Sequence, residues 1–124
     1  MSTYHAIVWI DHQEAHVVMF DREHVEAQRI HSRSHHSHQG KHADAASFFK
    51  EVSEKLHGTH EVLLTGPCSA RTEFKHWCAQ HDKNAAHAIV DNVASDHPSD
   101  AQLVAMARQY FTKFDKMAAD PGHV

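Results

Sequence analysis

Five histidines fall within one short polar stretch, His31 to His42, which reads His-Ser-Arg-Ser-His-His-Ser-His-Gln-Gly-Lys-His. Neutral imidazole is a good ligand for a borderline metal, and a flexible segment can bring several rings onto one ion. His31, His35, His36, His38 and His42 are therefore candidate ligands for zinc or nickel. No cysteine joins them, and a Ser- and Gly-spaced segment supplies few outer partners to fix the rings. The same stretch supports a different chemistry. Arg29, Arg33, His35, His36, His38, Gln39 and Lys41 form a basic, hydrogen-bonding surface suited to RNA phosphates, and its attraction rises as the imidazoles take up protons. No aromatic residue is interleaved for base stacking, so sequence-specific reading is not expected.

Charge balance points the same way. The chain carries sixteen His, twelve Lys+Arg and sixteen Asp+Glu, for a formal charge of −4 with His neutral. Sixteen protonated rings would bring it to +12; free imidazole titrates near pH 6.5. A mildly acidic chain at neutral pH is not a constitutive nucleic-acid coat.

Other chemistry is sparser. Cys68 and Cys78 are too few for a disulfide framework and lack Cys-x-x-Cys spacing, so both are expected reduced. Gly66-Pro67-Cys68-Ser69 lacks the second Gly and the Lys-Ser/Thr pair of a phosphate-binding loop. Cys68 sits just before a predicted helix N-terminus, whose positive end favours thiolate. No sequence-adjacent base marks it as a nucleophile, so a packing role is expected. Asp11 and Asp91, at predicted strand ends, are the carboxylates a two-metal nuclease would need. The intervening strand offers only Thr65, and Asp11 reads as a turn former.

The elements that must position these residues follow from periodicity. Tyr4 to Ile10 and Ala15 to Phe20 are apolar runs parted by Asp11-His12-Gln13-Glu14, an antiparallel hairpin. After Asp21-Arg22-Glu23, His24 to Ile30 reads as a partly exposed edge strand, and a second copy of the chain could add to it. The polar stretch 31–42 is an exposed loop. A helix follows from about Asp44 to Leu56, with Phe48, Phe49, Val52 and Leu56 on one face and Gly58 as its stop.

Val62-Leu63-Leu64 is a strand without a polar face, hence covered on both sides and central. It ends at Gly66-Pro67, and a helix capped by the Ser69 hydroxyl carries Phe74, Trp77 and Cys78 at helical spacing. Ala88 to Val90 is a short fifth strand. Ser99-x-x-Gln102 is a capping box for a final helix through Leu103, Met106, Ala107, Tyr110, Phe114 and Met117. A frayed tail, 118–124, closes it.

At 124 residues this is one domain, 1–124, of ordinary soluble composition, 41% hydrophobic and 23% charged. No apolar run approaches the ~20 residues that span a bilayer, and the N-terminus lacks a basic region followed by an apolar one, so a cytoplasmic location is expected. The order β-β-β-α-β-α-β-α, with right-handed crossovers, sets the first strand beside the fourth. The predicted fold is α/β: a ribonuclease H-like five-stranded mixed sheet with helices on both faces.

Three segments together carry a resemblance: Ala6-Ile7-Val8-Trp9-Ile10-Asp11 with Glu14-Ala15, Leu64-Thr65-Gly66-Pro67-Cys68-Ser69-Ala70-Arg71-Thr72-Glu73-Phe74, and Ala107-Arg108-Gln109-Tyr110-Phe111. They resemble the middle domain of the archaeal and eukaryotic peptide-chain release factors and of Pelota, and more closely the small stand-alone bacterial translational machinery proteins of this kind. Release factors carry Gly-Gly-Gln in the loop after the third strand and use it in peptidyl-tRNA hydrolysis. Here that loop offers only His38-Gln39-Gly40-Lys41, nearer to Pelota, which lacks the tripeptide. The resemblance implies a non-catalytic ribosome- or RNA-associated accessory, with no peptidyl-tRNA hydrolase or nuclease activity and without the flanking domains that read stop codons.

Overall fold

The computed structural model describes residues 5–21, 23–32 and 41–123, with side chains described for 45–113 of the last span. Strands β1 (His5–Ile10), β2 (Glu14–Phe20) and β3 (Val25–His31) form a meander. Helix α1 (Lys41–Lys55), strand β4 (Glu61–Gly66), helices α2 (Ala70–His81) and α3 (Lys83–Ala88), strand β5 (Ile89–Ala94) and helix α4 (Asp100–His123) follow. The five strands lie in the order β3-β2-β1-β4-β5. β1 pairs antiparallel with β2 and parallel with β4, and β4 pairs parallel with β5. This is the expected mixed sheet, with β1 beside β4 and β3 on an edge.

Both meander turns are made by aspartates that fold back on their own backbone. Asp11 Oδ1 accepts from the amides of Gln13 and Glu14, each at 2.8 Å, and Asp21 Oδ1 accepts from Glu23 at 2.9 Å and His24 at 2.7 Å. These amide bonds, Glu23 first, hold the Asp21 carboxyl below its ordinary value.

Strand periodicity divides the apolar side chains between two faces. Ala6, Val8, Ile10, Val17, Val62 and Leu64 pack under α1, α2 and α3, against Phe48, Phe49, Val52, Phe74, Cys78 and Ala85. Ile7, Trp9, Val18, Phe20 and Leu63 face the other way, against Leu103, Ala107 and Phe111 of α4. Because both faces are covered, β1 and β4 need no polar side, and Val62, Leu63 and Leu64 are fully buried. Among the described residues no helix is long and apolar enough to cross a membrane.

Four expectations are corrected. α1 begins at Lys41 rather than Asp44, because Lys41, Ala43, Ala45 and Ala46 favour helix and extend it backwards. β5 runs on to Ala94, so Asp91 stands inside the strand rather than at its end. Polar residues survive there because they are satisfied: Asn92 Oδ1 accepts from Arg71 Nη1 at 2.6 Å, and Asp91 bonds Tyr110, whose phenol burial and then this carboxylate push up. Helix α3 was not expected; Asp82 caps it by accepting from the Ala85 amide at 3.1 Å.

Finally, Ser69 does not cap α2 through its hydroxyl. Its backbone is already helical, at φ −70° and ψ −10°, and the hydroxyl donates to Glu73 Oε2 at 2.8 Å instead. The box at α4 is as read: Ser99 N donates to Gln102 Oε1 at 2.8 Å, and Gln102 N to Ser99 Oγ at 3.2 Å. The helical backbone of α4 continues to His123, through most of the stretch 118–124 read as a frayed tail.

Candidate functional site at the carboxyl rim of the sheet

Strands β1, β3, β4 and β5 all run in one direction, so their carboxyl ends share one rim of the sheet. Helices α2 and α4 start from that rim, after the connections 67–69 and 95–99. Open α/β sheets bind ligands outside the carboxyl ends of their strands, where helix N-termini also present free amides. The loop after β3 leaves from the same rim. Of the residues expected to contact RNA, Arg29 lies exposed on β3 opposite His16. Arg33, His35, His36, His38 and Gln39 lie outside the described residues, and Lys41 and His42 enter α1. His31 pairs with Glu14 across the β2–β3 ladder and is exposed, its Nδ1 3.9 Å from Glu14 Oε1. Among the described residues no three His, Cys, Asp or Glu side chains are grouped to hold a metal ion.

The nuclease carboxylates are not brought together. Asp91 is level with Leu63, and Leu63 with Ile7, whereas Asp11 lies four positions further up, about 13 Å at ~3.3 Å per residue. Asp11 is also committed to its turn.

Two clusters on the rim escaped the sequence reading. In the first, His16 is wedged beside Trp9, ring centroids 5.2 Å apart. Its Nε2 lies 3.4 Å from Glu14 Oε1 and its Nδ1 3.4 Å from Asp100 Oδ1. Both ring nitrogens and Asp100 Oδ1 are buried without hydrogen-bond geometry to a partner. Trp9 Nε1 donates to the Asp96 carbonyl at 2.7 Å, tying the 95–99 connection to the sheet.

The second cluster joins the β1–β2 turn to the start of α2. His12 Nδ1 lies 3.7 Å from Cys68 Sγ, and His12 Nε2 lies 3.2 Å from Glu73 Oε2. Ser69, through its hydroxyl, is the strongest influence holding the Glu73 carboxyl below its ordinary range; partial burial works against it and His12 adds to it. The signal was hidden in register. His5 pairs with Glu61 and Trp9 with Thr65, and the same offset carried past the strand ends sets His12 opposite Cys68.

No family model matches the chain, and no curated protein matches it. Solved structures do. The fold is similar to that of the Thermoplasma acidophilum Pelota protein, with a TM-score of 0.62 and 19% identity over 83% of this chain and 31% of that one. It is also similar to an archaeal translation termination factor, aRF1 (TM-score 0.59, 14% identity, 96% of this chain and 42% of that one). A third likeness is to Saccharomyces cerevisiae Dom34, described as a translation termination-like factor interacting with Hbs1 (TM-score 0.52, 11% identity, 76% of this chain). The chain spans 30% to 42% of the length of these structures. At such identities the likeness shows the fold: a Pelota- and release-factor-like α/β domain.

Proposed function

We propose that this domain is a non-catalytic accessory of the translation machinery that contacts the ribosome or RNA through the β3–α1 side of its rim. The observation that carries this reading is the likeness of fold to Pelota and aRF1 across 83% and 96% of the chain. The contact residues are Arg29, Arg33, His35, His36, His38, Gln39 and Lys41, a set whose positive charge grows as imidazoles protonate. Binding of this kind is phosphate-led and sequence-tolerant. The absence of Gly-Gly-Gln from the 31–42 loop is why no hydrolytic step is assigned to it.

Gradient co-sedimentation of the purified protein with ribosomes tests the reading. The expected result is a ribosome-bound fraction larger at pH 6 than at pH 8, falling as salt rises, and reduced by replacing His35, His36 and His38 with Ala. Protein that stays at the top of the gradient at every pH and salt, with the replacements changing nothing, overturns it. Calorimetric titration with zinc and nickel is the companion measurement. Stoichiometric binding lost with the same replacements would turn the loop's role to metal binding.

A further inference from the structure

We propose that Cys68 is a reactive thiol, with His12 as its base and Glu73 as the residue that positions His12, and that it is a site of S-thiolation by low-molecular-weight disulfides.

Nucleophile, base and orienting carboxylate stand in series, the arrangement that activates a thiol. Glu73 Oε2 faces His12 Nε2 at 3.2 Å, and His12 Nδ1 faces Cys68 Sγ at 3.7 Å, within reach of a sulfur hydrogen bond. A proton on Nε2, donated to the carboxylate, leaves the Nδ1 lone pair directed at the thiol. The opposed directions of the two ring nitrogens also separate this arrangement from a chelate, in which all donors converge on one point.

The backbone supports the same chemistry. Ser69 turns its hydroxyl to Glu73 and makes no side-chain cap, so the first amides of the twelve-residue helix α2 keep their positive end available beside Cys68.

The openness of the place selects the reagent. Cys68 is half-buried and the His12 and Glu73 side chains beside it are 55% and 51% exposed, an open setting that suits a small reagent needing no enclosing cleft. An internal disulfide is ruled out as the product. Cys78 is fully buried and lies three helical turns along α2, roughly 15 Å away at 1.5 Å per residue. The partner sulfur must therefore come from outside.

In the exchange, Cys68 gives its proton to His12 Nδ1 and the thiolate attacks one sulfur of the disulfide. A new S–S bond forms as the old one breaks, and the departing thiolate takes the proton back from His12. Protein thiol and disulfide become mixed disulfide and free thiol, with no other oxidant needed.

The test is incubation of the whole protein with glutathione disulfide from pH 6 to pH 9, followed by intact mass and peptide mapping. One adduct is expected, at Cys68 and not at Cys78, forming faster at pH 7 than on an unstructured peptide of the same local sequence. His12→Ala and, separately, His12→Gln should each slow it about ten-fold, a modest share of what a positioned base contributes. Both should also bring the pH dependence of the rate to that of the unstructured peptide. Glu73→Gln should give a smaller shift in the same direction. Cys68 reacting no faster than the peptide, both His12 variants keeping the wild-type rate and profile, or Cys78 reacting as fast as Cys68, would each overturn the proposal.

Discussion

Cys68 and Cys78 belong to the same β4–α2 unit and differ in nearly everything that governs a thiol. Cys78 lies on the buried face of α2 with Phe74, fully enclosed. Burial first, and then the nearby Asp82 carboxylate, push its thiol up to about 12. Cys68 is half-buried at the rim, ahead of the helix, with His12 rather than an aliphatic wall beside it. The β4–α2 unit thus carries one thiol held neutral by the core and another, in the connection before the helix, in contact with a base. The difference comes from place in the fold, not from residue type.

The largest way to break the contrast is to open the wall around Cys78. Phe74 is fully buried and meets Phe49 edge-on at 5.6 Å. Phe74→Ala should cost about 3–5 kcal/mol in a denaturant titration, and Cys78 should then become accessible to thiol reagents under native conditions.

Gly66→Ala should act on the other cysteine. Gly66 has φ +154°, and an added Cβ would lie 2.3 Å from the Ile10 carbonyl oxygen. The ends of β1 and β4 would have to part, at a cost of roughly 1–3 kcal/mol. Because those ends carry His12 and Cys68, the rate at Cys68 should fall toward that of an ordinary thiol.

A further effect is confined to alkaline pH. The Cys78 thiol is near 9.0 when free and about 12 when folded, so the folded state keeps a proton that the unfolded chain loses. Its contribution is fully present below pH 9 and is lost as pH rises from 9 toward 12. Denaturation midpoints should decline over that window, and less steeply in Cys78→Ala. The smallest change is Ser69→Ala, expected to move stability by no more than ~0.5 kcal/mol. The Glu73 carboxyl should return toward its ordinary value, read by carboxyl NMR titration, since the Ser69 hydroxyl is the main cause of its lowering.

Sheet order and both faces of the core were legible because they follow from apolar runs and short connections. Val62-Leu63-Leu64 shows no polar side, and the Gly66-Pro67 step stops the strand where β4 ends. The end of β5 was not legible, because Asp91 and Asn92 read as a boundary until Tyr110, Arg71 and Thr72 supply their partners. Helix α3 is only six residues long, and its one clear local mark is Asp82. The His12–Cys68–Glu73 series has no local trace, since its members come from separate turns. It depended on the exact pairing of β1 with β4 and on where the Ser69 hydroxyl turned. The His16 cluster was hidden for the same reason, as Glu14 and Asp100 reach it from different elements.

The pairing of residues 5–9 with 61–65 sets the order in which this domain can assemble. During synthesis, at ~5–20 residues per second, the N-terminal meander emerges seconds before β4. Ile7, Val18 and Phe20 wait longer still, because α4, which covers them, follows every strand in the chain. Closing such distant contacts carries loop entropy that local hairpins avoid. The nascent sheet therefore presents bare apolar surface until its last helix arrives.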